Sequence, residues 1–90
     1  MNLYVIRRSP DRSVSDTYAY AIVAAESGDA ARHTHPDKGV IWKNQRWTKS
    51  GRDYGFELWT DPRKVRPKLL GIAKLGIKAG PICTSFNEAR

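Results

Sequence analysis

The segment Thr17–Ala25 constrains the fold more than any other part of this 90-residue chain. It reads Thr-Tyr-Ala-Tyr-Ala-Ile-Val-Ala-Ala and contains no charged residue. Alternate side chains of a strand lie on opposite faces of its sheet, so a run that is apolar at both alternations is typical of a central strand covered on both sides. The sequence therefore predicts a sheet built around this segment.

Shorter segments predict the remaining elements. Leu3–Arg8 is rich in β-branched and aromatic residues and indicates a first strand. Ser27 can cap a short helix from Gly28 to about Thr34, and Pro36 ends it because the residue before a proline avoids helical backbone. Further strands are predicted at Tyr54–Thr60, Lys68–Lys74 and Ile82–Phe86, and Val40–Lys43 is compatible with one more.

These elements predict an α+β fold in a single domain, residues 1–90. We expect a small, mainly antiparallel mixed sheet of about 4–6 short strands with one short helix, in the order ββα and then strands. Residues 37–53 interrupt the pattern and predict a basic, Trp-containing loop or irregular hairpin; loops of that length in compact domains are often functional. Because short strands leave open sheet edges, we expect a homo-oligomer.

Positive charge is concentrated in the second half of the chain. Residues 38–78 hold eleven Lys/Arg and three Asp/Glu, a net charge of +8, whereas residues 1–37 carry a net charge of −1. All three tryptophans lie in the same basic stretch. Such segregation points to an anionic partner at one surface.

Residues 42–54 interleave aromatic rings with cations and amides, the mixture that nucleotides and single-stranded nucleic acids require for stacking and for phosphate contacts. The ligand-binding residues predicted here are Trp42, Lys43, Arg46, Trp47, Lys49 and Arg52. The alternative is that both tryptophans fill the core while the cations stay solvated, since Trp is mostly buried and Lys and Arg mostly exposed. The sequence leaves both alternatives open.

A second basic cluster spans residues 63–68. Alternation along a strand would place Lys64, Arg66 and Lys68 on one face, as a row suited to a phosphate backbone, so Lys64 and Arg66 join the predicted ligand-binding residues. A strand edge whose solvated charges prevent aggregation explains the same residues equally well. Arg7 and Arg8 are candidates to join a phosphate site.

Catalytic and metal-binding chemistry finds little support. On a helix, His33 and His35 lie about 200° apart and cannot share a metal ion. Cys83 falls in an apolar strand and is predicted to be a small buried residue. No acid–base pair, phosphate-cradling glycine motif or nucleophile elbow is visible, so we expect no enzyme, no metal and no cofactor.

A lone cysteine fits a reducing compartment, and no apolar run reaches the ~18 residues of a membrane span, so we expect a cytoplasmic protein with no membrane partner.

Several sequence blocks together resemble a group of small bacteriophage and prophage proteins. The blocks are LYVIRR at 3–8, DTY at 16–18, IVAAES at 22–27, AAR at 30–32, HP at 35–36 and GPICTSFN at 80–87. A tryptophan-containing variable middle, here about 37–58, and Lys64-Val65 ahead of a strand are similar too, whereas Gly28-Asp29, Thr34 and Pro81 depart from the usual pattern. The group has no settled activity, so the resemblance implies a context: a phage-type accessory protein acting in the cytoplasm of an infected bacterium.

Charge, motifs and resemblance together predict a non-catalytic protein that binds an anionic, phosphate-bearing ligand. That ligand is either a small nucleotide, such as a host immune signal that a phage gains by sequestering, or DNA or RNA held along the basic rows. The alternative is a protein–protein inhibitor that docks on a host defence enzyme, because exposed aromatic residues and arginines are the usual anchors of protein interfaces.

Overall fold

The computed structural model describes residues 1–8, 17–56 and 59–87. In chain order, its elements are β1 Asn2–Arg8, β2 Thr17–Ala25, α1 Gly28–Arg32, β3 Ile41–Lys43, β4 Arg46–Lys49, β5 Arg52–Asp53, a 3-10 turn Pro62–Lys64, β6 Val65–Ile72 and β7 Gly80–Asn87. The predicted α+β class and the ββα start are confirmed. The strands form two antiparallel sheets, of four and three strands, where one sheet was expected.

The four-stranded sheet has the order β6-β1-β2-β7, so β2 is an interior strand as predicted. On its inner face, Ile6, Ala21 and Val23 are fully buried. The opposite, outer face is open around Tyr20, which is 40% exposed, and Ile22 is half-buried. Ala24, opposite Leu3 on the same face, is fully buried. The expectation that both faces of β2 are covered therefore holds at Ala24 and fails at Tyr20.

Helix α1 lies against the inner face and is held by its cap and by packing. The Ser27 hydroxyl accepts a hydrogen bond from the amide of Ala30 at 3.1 Å, which is the predicted cap. Ala31 is fully buried. A helix this short has little intrinsic stability, so these tertiary contacts must supply it.

The segment predicted as a loop or irregular hairpin folds into the three-stranded sheet, in the order β3-β4-β5. Asn44 and Gln45 connect β3 to β4 with positive φ angles of 52° and 61°. Two-residue hairpin turns favour this left-handed backbone because its twist matches that of the flanking strands, but they usually contain glycine. The absence of glycine at both positions is why the sequence pattern did not indicate a regular hairpin.

The core lies between the two sheets and is anchored by Trp47 and Trp59, both fully buried. The Trp47 indole donates a hydrogen bond to the carbonyl oxygen of Thr60 at 2.9 Å. The predicted strand Tyr54–Thr60 is irregular in its described part, and positions 57 and 58 lie outside the described residues. No helix in the described ranges is long and apolar enough to cross a membrane.

Candidate anion-binding surfaces

The predicted ligand-binding residues of the three-stranded sheet lie on its two different faces. The directly opposed pairs are Trp42–Trp47, Lys43–Arg46 and Lys49–Arg52. Opposed residues share a face and successive residues alternate, so Lys43 and Arg46 lie on the outer face, away from the buried Trp47. Lys49 and Arg52 share the Trp47 side of the sheet. The four cations predicted to hold one ligand therefore do not converge.

Lys43 and Arg46 border a concavity of about 500 Å³ on the outer face, which we term the hairpin cleft. Its other lining residues are Asn44, Thr48, Gly51 and Asp53. Arg46 contacts the Asp53 carboxylate at 3.8 Å, an exposed ion pair that contributes little stability. Cations directly opposite each other on antiparallel strands repel, so an anion lying between Lys43 and Arg46 would relieve that repulsion.

The two tryptophans of the hairpin have different environments. Trp47 fills the core, as in the second alternative for this residue, and has no exposed ring face on which a base could stack. Trp42 is half-buried and contacts Trp47 edge-on with the ring centroids 5.0 Å apart. It lines a cavity of about 250 Å³ together with His33, Gln45, Asp61, Pro62 and Arg63. Only Trp42 therefore offers an aromatic surface to a ligand at this hairpin.

Lys49 belongs to a polar cluster that the sequence reasoning missed. Its ammonium lies 3.5 Å from the Asp37 carboxylate and 5.8 Å from the centroid of the Tyr54 ring. The Tyr54 hydroxyl donates a hydrogen bond to the same carboxylate, and this bond, with burial, raises the pKa of Tyr54 to about 12. Lys49 thus connects β4 to the segment before β3 and is engaged within the protein.

The centre of this cluster is His35, which is 1% exposed. Its Nδ1 atom accepts a hydrogen bond from the backbone amide of Asp37 at 2.9 Å, so the neutral ring carries its proton on Nε2, which has no partner among the described residues. The rings of Tyr18, Trp47 and Tyr54 meet it edge-on at centroid distances of 6.1, 5.0 and 5.5 Å. Burial lowers the pKa of His35 to about 4.

One sequence signal could have indicated this role for His35. In His35-Pro36-Asp37, a side-chain acceptor is followed two residues later by a free amide, the spacing at which Asn and Asp close local turns. The signal is weak because histidine rarely replaces them. Nothing local to this segment predicts the approach of Tyr54 or Lys49.

The second basic cluster lies on the four-stranded sheet. The 3-10 turn ends at Lys64 and β6 begins at Val65, so Lys64 precedes the strand and the predicted three-residue row is shortened. Arg66 and Lys68 are exposed and two residues apart on β6, hence on the same, outer face. In the register of β1 with β6, Arg7 lies directly opposite Arg66.

Cys83 is exposed on the same outer face, in register with Ile22 of β2. Its predicted burial is wrong because this face of the sheet is open. Within residues 1–8, 17–56 and 59–87, no group of three or more His, Cys, Asp or Glu side chains is placed to hold a metal ion.

The fold and these surfaces define a small α+β protein with two antiparallel sheets, each of which presents cations on its outer face. Comparison of the chain with protein-family models, with curated proteins and with solved structures finds no match in any of the three. Its function is therefore inferred from the geometry of its own residues.

Proposed function

We propose that this protein is a non-catalytic binding protein whose ligand is a phosphate-bearing anion held in the hairpin cleft. The observation that carries the proposal is the exposed cross-strand pair of Lys43 and Arg46. A phosphate between the two side chains would accept charge-assisted hydrogen bonds from both and cancel their repulsion. It would compete with Asp53 for Arg46, and an exposed ion pair at 3.8 Å is a weak competitor.

The dimensions of the cleft favour a small nucleotide over a nucleic-acid duplex. Its volume of about 500 Å³ falls within the range of ~300–1,000 Å³ that is usual for small-molecule sites. The hairpin turn connects it to the Trp42 cavity, because Asn44 lines the cleft and Gln45 lines the cavity. A nucleotide with its phosphates in the cleft could extend around the turn and place its base against Trp42.

The resemblance to small phage proteins gives this proposal a biological context. A protein of that kind would act in the cytoplasm of an infected bacterium and could sequester a nucleotide that serves as a host immune signal. Sequestration requires stoichiometric and tight capture, but no catalytic residue. A basic cleft, connected around the hairpin turn to a cavity with one accessible tryptophan, supports such a role.

The proposal is tested by calorimetric titration of the full chain with adenosine triphosphate at low salt. Each charge-assisted hydrogen bond contributes about 1.5–3 kcal/mol, so replacing both Lys43 and Arg46 by Ala should weaken binding at least about 100-fold. Lys74→Ala with Lys78→Ala is the matched control, because it removes the same charge elsewhere and should leave the affinity within about twofold.

Two outcomes would contradict the proposal. Equal losses in the Lys43/Arg46 variant and in the control would mean that the nucleotide responds to net charge alone. No binding by the unmodified chain to any of the four ribonucleoside triphosphates or to pyrophosphate would remove the cleft as a phosphate site.

An apolar edge supports the second candidate function, that of a protein–protein inhibitor. Strand β6 and the turn after it expose Leu69, Leu70, Ile72 and Leu75 by 58%, 51%, 83% and 102%. Exposed apolar clusters of this kind mark protein contacts, and Lys68 beside this one favours an acidic partner such as a host defence enzyme. Light scattering of the Ile72→Ser and Leu75→Ser variants distinguishes contact with a host protein from the expected homo-oligomer. If the unmodified chain is an oligomer and these variants are monomers, the apolar edge serves self-association.

A further inference from the structure

The outer face of the four-stranded sheet carries two rows of side chains that cross all four strands in register. The first row is Arg66, Arg7, Tyr20 and Ser85, and the second is Lys68, Val5, Ile22 and Cys83. Residues directly opposite each other on paired strands share a face, so these eight form one continuous surface, which we term the sheet platform.

The platform is accessible. Arg7, Arg66, Lys68 and Cys83 are exposed, and Tyr20 at its centre is 40% exposed. Helix α1 packs on the opposite face, where a Cβ added to Gly28 would meet Pro67 and Tyr4 at 3.7 and 3.9 Å. At β2, the platform is therefore the exposed face of a strand that is apolar at both alternations.

Among the described residues, the positive charge of the platform is uncompensated. Its two rows contain three cations and no carboxylate, and none of the ion pairs among the described residues involves Arg7, Arg66 or Lys68. Arg7 and Arg66 are directly opposed, an arrangement that destabilises paired strands unless an anion lies between them.

The platform also combines an aromatic ring with these cations. The guanidinium carbon of Arg7 lies 5.9 Å from the centroid of the Tyr20 ring. Arg66 and Lys68 leave β6 about 6.6 Å apart, so each can contact a different phosphate of an extended strand. Sequence-tolerant single-strand binding proteins hold their ligands in the same way, with aromatic rings that stack on bases and cations that follow the backbone.

We infer that the sheet platform binds single-stranded nucleic acid, with a base on Tyr20 and the backbone along Arg7, Arg66 and Lys68. A duplex encloses its bases and offers no ring face to Tyr20. A second copy of this chain laid face to face would bring the same cations together, which is unfavourable. The platform is separate from the hairpin cleft, and this inference does not depend on the proposed function.

The test is fluorescence anisotropy of the full chain with a labelled oligothymidylate of about 12 nucleotides, within the usual range of single-strand site sizes. Tyr20→Ala should weaken binding about 5- to 150-fold, which corresponds to the loss of one stacked base, whereas Tyr20→Phe keeps the ring and the affinity. Replacing Arg7 and Arg66 by Ala should reduce the slope of log affinity against log salt by about 1.4. The Lys74/Lys78 double variant controls for net charge.

Cys83 provides an independent readout because it lies on the platform and is the single cysteine of the chain. Bound oligothymidylate should slow its reaction with an aromatic disulfide reagent, and the duplex of the same sequence should protect it less. Unchanged Cys83 reactivity in the presence of saturating oligonucleotide would overturn the inference. Equal affinity for single strand and duplex, or no binding at low salt, would overturn it as well.

The variants of the cleft separate this inference from the proposed function. Lys43→Ala with Arg46→Ala should abolish nucleotide binding and leave most of the oligothymidylate affinity. If that variant loses the oligonucleotide while the Tyr20 and Arg7/Arg66 variants retain it, single strands bind in the cleft and the platform is not a nucleic-acid site.

Discussion

Lowering the pH from 7.5 to 5 should destabilise this protein through His35. In the folded chain the ring is buried, and its Nδ1 atom must remain unprotonated to accept the hydrogen bond from the amide of Asp37. A second proton would therefore break that bond and place a charge beside three aromatic rings. The Asp37 carboxylate favours the charged ring and Lys49 disfavours it, but burial is the larger effect.

The magnitude follows from the pKa of His35 in the two states. The pKa is about 4 in the folded chain and about 6.5 in the unfolded chain, so the unfolded chain binds more protons between these values. The free energy of unfolding must then fall as the pH drops below 6.5. Integrated from pH 7.5 to pH 5, the loss is about 2 kcal/mol, equivalent to about 8–16 °C in melting temperature for a domain of this size.

The assay is denaturant unfolding followed by the fluorescence of the buried Trp47 and Trp59 between pH 7.5 and 5. His35→Asn keeps a side-chain acceptor for the Asp37 amide but cannot titrate, so its stability should vary much less with pH, even though the smaller side chain lowers stability overall. His33→Asn, which removes an exposed imidazole from the end of helix α1, is the matched control. A slope that survives in His35→Asn, or an unmodified chain whose stability is constant over this range, would refute the reasoning.

The remaining predictions concern the hairpin. Trp47→Ala should lower the free energy of unfolding by about 3–5 kcal/mol, whereas Trp42→Ala at the half-buried position should lower it by less; equal losses in denaturant unfolding would contradict their different burial. Gln45→Gly should raise the free energy of unfolding by about 1 kcal/mol or less, because φ is 61° at this residue and glycine avoids the left-handed strain of about 1–2 kcal/mol at an entropy cost of about 0.5–1 kcal/mol. A destabilised Gln45→Gly protein would show that contacts of the Gln45 side chain outweigh the backbone effect.

The sequence predicted the local parts of the fold. β-branched and aromatic residues located β1, an uninterrupted apolar run located β2, and Ser27 located the start of the helix, because these signals depend on residues within one turn or one strand. The same rules failed at the Asn44–Gln45 hairpin, where two non-glycine residues adopt positive φ. They also failed at Tyr54–Thr60, where packing of Trp59 and the hydrogen bond between Trp47 and Thr60 replace strand pairing in the described part.

The candidate sites depended on information that no single segment contains. The sequence identified the cations and the tryptophans, and Lys43 and Arg46 do share a surface. Only the strand register showed that Lys49 lies on the opposite face, beside Asp37, and that Arg7 meets Arg66 across two strands distant in the sequence.

The sequence by itself determined which residues alternate along each strand, where the helix begins and where the positive charge is concentrated. The tertiary structure alone decided which face of each strand is buried. A period of two defines two faces but does not say which one meets the core, because that depends on the order of the strands and on what packs against them. The burial of Trp47, the exposure of Cys83 and the open platform around Tyr20 all follow from that choice.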